Sequence, residues 1–338
     1  MPTTINGIIE AIRHRKVGYK VSKRLYKYLE SKQVDMQHFA KRYIFDDRQS
    51  GSENLLLVLM GFQPYYWAEV LDRVGRNIAQ FGETIDVCLC VPCGMNEAAW
   101  MGARQFAKKY KFSFLKLEHD LLAQAQNTAI RLHPDAKWIF KIDEDILLSD
   151  NYFAKMKRAY SNALKDLYYP VSFLSPLINL NAGGFRRFLE TIDKWGEFKE
   201  KFPSRYYFNL CSLSPEIDII HKNTEAAKYI WKNSIPFDKV AKKIEERNQH
   251  KYSVCPIRMS IGAILFTREK WKEWGGFDVK GIGTMGAEES QVCAYSINSL
   301  QTIIIAEDTF VGHMGFYKQK ETCHQFFDEH IKEIHHRS

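Results

Sequence analysis

Ile139-Phe140-Lys141-Ile142-Asp143-Glu144-Asp145-Ile146 decides the reading of this chain: an apolar run that ends abruptly in three consecutive carboxylates. A short run of this kind, opened by Trp138, predicts a buried strand. Carboxylates crowded at its end repel one another and lose hydration unless a cation or hydrogen-bond donors compensate them. In an open α/β sheet, ligands bind in the crevice beyond the carboxyl ends of the strands. Residues two apart on an extended chain face the same side, which lets Asp143 and Asp145 converge on one cation. Such oxygen ligands suit Mg2+ or Mn2+. The competing reading is a solvated acidic turn with Asp as a helix cap. Lys141 reads as the structural counter-charge of the triplet.

Upstream of the triplet, strand and helix patterns alternate. Strands are predicted at Leu55–Met60, Asp86–Val91 and Phe112–Leu117, and helices at Tyr66–Gln80, Glu97–Tyr110 and Leu121–Leu132. This order predicts a mostly parallel α/β sheet with right-handed crossovers and helices on both faces. The triplet then falls where such a sheet holds its ligand.

Downstream, the pattern predicts a helix at Asn151–Leu164 and an irregular strand at Pro170–Leu177. Residues 181–252 form an aromatic, charged insertion of the kind that carries substrate specificity, here expected to shape an acceptor site. A strand at Met259–Thr267, a helix at Glu269–Trp274, a helix at Ser290–Ser299, a strand at Thr302–Ala306 and a terminal helix at Glu321–His336 complete the reading.

At 338 residues, 45% hydrophobic and 26% charged, the chain suits one large catalytic domain, 53–320, with an appendage, 1–52, and a C-terminal helix, 321–338. The net charge of +8 is concentrated: residues 1–50 hold eleven Lys and Arg against five acids. A nearly balanced remainder argues against a nucleic-acid-binding core. In the appendage Ile8, Ile9, Ile12, Val17, Val21, Leu25 and Leu29 recur among the basic residues. That reads as a basic amphipathic helix, suited to peripheral contact with an anionic membrane or to packing on protein. Seven cysteines lack zinc spacing and read as buried reduced thiols, as in a cytoplasmic protein. The residues after Met1 lack a secretory signal, and the longest clean apolar run, Leu55–Met60, is too short to span a bilayer.

Three further features carry chemistry. Trp274-Gly275-Gly276-Phe277-Asp278 pairs glycines that let a backbone turn tightly with flat apolar side chains; its structural reading is a helix C-cap with two core aromatics. Gly286-Ala287-Glu288-Glu289 opens a helix, where carboxylates suit the dipole or supply a general base. His313, flanked by Gly312 and followed by Met314-Gly315, is a structural histidine or an accessible ligand after a strand.

In their order, Lys141-Ile142-Asp143-Glu144-Asp145, Trp274 to Asp278, Ala287-Glu288-Glu289 and Gly312-His313 resemble a GT-A-fold glycosyltransferase of the family 2 type. Gly286 to His313 is also similar to the matching stretch of polypeptide GalNAc-transferases. The resemblance covers about residues 53–318. It implies a metal-dependent transfer of sugar from a nucleotide-diphosphate-sugar, a UDP-sugar foremost, to a hydroxyl of a glycan, lipid-linked or other acceptor, in glycan or polysaccharide biosynthesis. It implies Asp145 as direct ligand of Mn2+ or Mg2+, Asp143 toward the ribose or a metal-bound water, and His313 completing the metal sphere, with Glu144 a bystander. Glu288 or Glu289 takes the place of the base, with Glu289 the preferred reading and inversion the implied outcome; the Glu-Glu pair departs from the family's usual Glu-Asp. Gln63-Pro64 and Asn127 match donor-binding positions, and Trp274, Gly275, Gly276, Phe277 and Asp278 would line the acceptor side. Rival readings are a catalytically silent nucleotide- or sugar-binding protein of the same fold and a metal-dependent nucleotidyltransferase.

Overall fold

Four parallel strands organise the molecule: β2 (Asn54–Leu59), β3 (Asp86–Val91), β4 (Ser113–Leu117) and β5 (Trp138–Asp143). Helices α1 (Trp67–Phe81), α2 (Glu97–Tyr110) and α3 (Leu122–Leu132) connect them in turn. In this computed structural model the described residues are 39–61, 63–92, 95–118, 122–181, 184–203, 219–220, 223–255, 259–279, 287–315 and 320–335.

The four strands lie in the order β4-β3-β2-β5. The chain therefore moves outward from β2 and then returns to the other side of it. The gap between the ends of β2 and β5 is the topological switch point of the sheet, where the two neighbouring connections diverge and leave a crevice. Gln63 follows β2 and Asp143 closes β5, so the fold delivers both to that crevice.

Both faces of these strands are covered. Leu56 and Val58 join one core with α1 and α2, whereas Leu55, Leu57 and Leu59 join a second core with α3. That two-sided burial explains why the strands read as continuous apolar runs rather than alternating ones.

Beyond β5 the sheet is mixed. It adds β6 (Ile146–Leu148), β7 (Val171–Ile178), β9 (Ala263–Thr267) and β10 (Thr302–His313), in the order β5-β9-β7-β10-β6. Strand β9 is antiparallel to both β5 and β7, and β7 is parallel to β10. Six strands thus run one way, as the pattern predicts, and β9 runs against them in the middle of the sheet. Strand β8 (Tyr252–Cys255) pairs antiparallel with β10 and so runs the same way as β9. Strand β10 is longer than predicted: a register shift between Ala306 and Phe310 lets it continue past β7 to His313.

Part of the expected appendage belongs to the sheet. Strand β1 (Tyr43–Asp46) pairs antiparallel with β4 at the edge, Asp46 binds Arg104 of α2 through two bonds of 2.7 and 2.8 Å, and Asp86 accepts the backbone N–H groups of Ser50 and Ser52. The predicted basic helix and its membrane contact lie in residues 1–38, outside the described residues.

The remaining helices are α4 (Tyr152–Asp166), α5 (Gly184–Thr191), α6 (Trp195–Lys201), α7 (Thr224–Lys232), α8 (Phe237–Arg247), α9 (Arg268–Glu273) and α10 (Ala287–Asn298). The described part of the 181–252 insertion builds core: Phe188 of α5 and Phe237 of α8 both pack on Phe310 of β10, with ring centroids 5.1 and 5.2 Å away. The predicted terminal helix is two helices, α11 (Lys320–Glu329) and α12 (Ile331–Ile334), separated at His330. No helix among the described residues is long and apolar enough to cross a membrane. The five described cysteines are buried free thiols.

Candidate active site

Three side chains meet at the switch point. Asp145 lies in the turn between β5 and β6, and its Oδ2 accepts a hydrogen bond of 2.7 Å from Gln63 Nε2. The same oxygen stands 3.3 Å from Nε2 of His313, which ends β10. Gln63 Nε2 also donates to the carbonyl of Gly315, leaving Gln63 Oε1 buried with no donor among the described residues. His313 is oriented from behind: Nδ1 donates to the Leu180 carbonyl at 2.6 Å, and its backbone N–H donates to Asn179 Oδ1. With Nδ1 held by that carbonyl, Nε2 is the nitrogen that faces Asp145, donating to it when protonated and able to ligate a cation when deprotonated. Burial opposes the imidazolium most strongly, but the charge and hydrogen bond of Asp145, the Leu180 carbonyl and the charge of Asp143 together outweigh it and raise the pKa of His313.

His313 reaches this position because the preceding residue is glycine. A Cβ on Gly312 would lie 2.7 Å from Trp231 and 2.9 Å from Phe237. Trp231 also donates its indole N–H to the His313 carbonyl. The strand end is therefore pressed into α7 and α8 from behind while its imidazole faces the crevice.

Asp143 takes a different partner. Lys141 Nζ lies 2.5 Å from Asp143 Oδ1 and 2.7 Å from the Ile261 carbonyl. The Asp143 side chain is 35% accessible yet set deep in the crevice wall, and burial raises its pKa against the opposing pull of Lys141. Across from it, a Cβ on Gly262 would lie 3.3 Å from Asp143 Oδ2. Extended backbone ends at Asp143 and Asp145 occupies a turn, so the strand alternation expected to bring the two aspartates onto one side stops between them. Among the described residues, no three His, Cys, Asp or Glu side chains are gathered closely enough to hold an ion by themselves.

The acidic pair approaches from α10. Glu289 Oε2 accepts the Ile261 N–H at 3.3 Å. Burial raises the pKa of Glu288, its own backbone N–H and Lys141 lower it, and the charges of Asp143 and Glu289 add to the rise. Lys141 and Ile261 thus stand between the triplet and the acidic pair. Ser260 and Asn181, which the sequence reading missed, border the same crevice: Asn181 Nδ2 donates to Ser260 Oγ, which also accepts the Gly262 N–H. Their signal was faint, a polar residue alternating with Ile178, Leu180 and Ile261 at two strand ends.

Glu144 is an anchor rather than a bystander. Its carboxylate accepts the backbone N–H groups of Gly61 and Gln63, at 2.7 and 2.6 Å, and the Trp67 indole at 2.5 Å. It ties the end of β2 to the end of β5, and exposed Pro64 then starts a single 3-10 turn, Pro64–Tyr66.

The glycine turn also has another task. Trp274 and Phe277 are buried against Phe266, with centroids 4.9 and 5.7 Å away, so their rings serve the core rather than a cleft wall. Gly275 and Gly276 have φ of +77° and +79°, which only glycine adopts without strain. Asn127, expected beside the donor, is fully buried: Oδ1 accepts from Trp271 Nε1 and the Phe277 N–H, and Nδ2 donates to the Phe277 carbonyl. Gln291 of α10 donates to the carbonyls of Trp274 and Gly276, and its Oε1 accepts the Asp278 N–H. The turn therefore clamps α3 to α10 and fixes the helix that carries Glu288 and Glu289.

These residues fit a divalent ion. Donors at about 2.1 Å on perpendicular axes of such an ion stand about 3 Å apart, close to the 3.3 Å between Asp145 Oδ2 and His313 Nε2. A carboxylate, an imidazole and the orphaned Gln63 oxygen suit Mn2+ or Mg2+, which complete their sphere with substrate phosphates.

No protein-family model and no curated protein matches the chain. Among solved structures, it is similar to GalNAc-T7 crystallised with UDP, GalNAc and Mn2+, at 13% identity and a TM-score of 0.48, over 80% of this chain and 45% of that one. The chain therefore spans under half the length of that protein. It is similar to the mannosyltransferase PcManGT from Pyrobaculum calidifontis in complex with GDP-Man and Mn2+, at 15% identity and 0.44, over 91% and 71%. S. aureus TarS follows at 10% and 0.29, over 37% and 21%. These likenesses concern the fold; the chemistry of the site rests on the geometry above.

Proposed function

We propose that the chain is a metal-dependent glycosyltransferase that moves a sugar from a nucleotide-diphosphate-sugar, a UDP-sugar foremost, to an acceptor hydroxyl. The carrying observation is the Asp145–His313 pair with Gln63 at the switch point of the sheet, faced across Lys141 by the acidic pair of α10. Asp145 and His313 would hold Mn2+ or Mg2+, and Gln63 Oε1 stands ready to join them. When bound, the ion neutralises charge on the departing diphosphate. Asp143 offers Oδ2 to a donor hydroxyl, while Asn181 and Ser260 border the space beside the transferred sugar.

Glu288 serves as the general base. It is the better placed of the pair, because Glu289 is tied to the Ile261 backbone, while a half-buried carboxyl whose pKa burial raises is a stronger base than an exposed one. The acceptor oxygen attacks the anomeric carbon and gives its proton to Glu288. The bond from that carbon to the diphosphate oxygen breaks on the opposite face, and the nucleoside diphosphate leaves with the electron pair. The anomeric configuration inverts. Acceptors in this reading are glycan or lipid-linked hydroxyls.

A thermal-shift series with nucleoside diphosphates, with and without Mn2+, tests the reading, since a ligand of the folded state raises its stability. The expected result is stabilisation by one nucleotide only when Mn2+ is present. No ion-dependent shift with any nucleotide would sink the proposal. Release of pyrophosphate from a nucleoside triphosphate, instead of a nucleoside diphosphate from a sugar donor, would make the chain a nucleotidyltransferase.

A further inference from the structure

Lys141 is buried beneath the crevice with its ammonium on Asp143 and within electrostatic reach of Glu288, an acid from a different part of the chain. A buried charge of this kind is costly unless geometry and partners are good. Its partners are specific: one oxygen of Asp143 and the carbonyl of Ile261, the residue whose N–H is bound by Glu289. Lys141 and Asp143 lie two apart on β5 and so project from the same face of the strand, toward α10. Asp145, past the strand end, turns instead to Gln63 and His313.

We propose that Lys141 is a positioning residue that assigns the two aspartates different tasks: by holding Asp143 Oδ1 it keeps this carboxylate out of the coordination sphere of the ion and presents Oδ2 over Gly262 to a donor hydroxyl. The ion is left to Asp145, His313 and the donor. The backbone hydrogen bond from Asp143 N–H to the Gly262 carbonyl, at 2.8 Å, fixes the strand end in the same sense. Gly262 matters because a side chain there would press on Oδ2. The same ammonium attracts both Asp143 and Glu288 and so offsets part of the repulsion between them.

This inference rests on the metal-and-donor reading above. Its test is a Mn2+ titration of the full chain by electron paramagnetic resonance, with a saturating nucleoside diphosphate found by the thermal-shift series. Asp145→Ala is expected to weaken Mn2+ binding by at least about tenfold, whereas Asp143→Ala leaves it within about twofold of the parent. Lys141→Met, which frees Asp143, is expected to tighten Mn2+ binding while raising KM for the donor more than it lowers kcat; Lys141→Arg restores KM in part. Circular dichroism and Tm report folding for each variant.

If the parent chain binds no Mn2+ with any nucleotide, the functional reading itself falls. If the parent binds and Asp143→Ala loses affinity as Asp145→Ala does, only the assignment of Lys141 falls. Lys141→Met that lowers Tm but leaves KM and Mn2+ affinity unchanged also overturns it. Should Lys141→Met fail to fold, the two aspartate variants decide the question alone.

Discussion

The glycine turn at 274–278 and the acidic triplet at 143–145 are equally suggestive in sequence, and the fold treats them in opposite ways. In the turn, Asn127 and Gln291 saturate the polar backbone, and the aromatic rings pack on one another. At the triplet Glu144 is saturated in that manner, while Gln63 Oε1 stays buried with no donor among the described residues beside the Asp145–His313 pair. Satisfied polar groups rigidify a scaffold, whereas a buried polar group left short of partners in a crevice points to a ligand. The turn braces the crevice; the triplet lines it.

The contrast breaks most visibly at Asn127. Asn127→Ala strands the Phe277 backbone and the Trp271 indole in the core and is expected to cost about 3 kcal/mol, read as a lower urea midpoint. Activity per folded molecule should stay within a few-fold; an unchanged midpoint with a raised donor KM would return Asn127 to the donor site. Asp145→Ala should do the reverse, weakening ion-dependent nucleotide binding by about a hundredfold with little loss of Tm. A large Tm loss without an effect on binding would make the pair a structural ion pair.

Gly276→Ala puts a Cβ 3.1 Å from Asn127 Oδ1 at a φ of +79°. It should destabilise by about 2 kcal/mol and spare Mn2+ affinity, as titration of the folded variant would show. The smallest effect sharpens the comparison from the side of the base. Burial raises the pKa of Glu288 above its ordinary 4.5. The active form is the carboxylate, so kcat/KM should fall as pH drops through that raised value. For stability the sign is opposite: the fold favours protonated Glu288, so its contribution is present at low pH and fades as pH rises through the raised pKa. Glu288→Gln should therefore flatten the acid limb, lower kcat and slightly raise Tm at neutral pH. A Tm drop together with an unchanged pH profile would exclude Glu288 as the base.

Much of the frame was legible because its causes are local. Leu55–Met60 is apolar throughout, and Ile139–Ile142 is apolar apart from Lys141, since both faces are covered, and Val70 and Val74 mark the buried stripe of α1. The crevice followed from strand order. What escaped depends on contacts remote in sequence. Asn127 and Phe277 are 150 positions apart, Gln63 and Asp145 82. No window of sequence reveals that the first contact closes a clamp or that the second opens a site. The reversal of β9 was hidden for a related reason: a strand pattern records burial, and direction comes only from the connection. Strand β1 was masked by the basic residues around it, since an edge strand tolerates charge that a central strand does not.

Gly312 leaves His313 without slack. The strand is wedged against two aromatic rings of an insertion that never touches the crevice through those rings, so the imidazole is positioned the way a lens is seated by the back of its mount. Substitutions at Trp231 or Phe237, on the far side of the sheet, would move the focus without touching the optics. The position of the imidazole is thus adjustable from buried residues behind the strand.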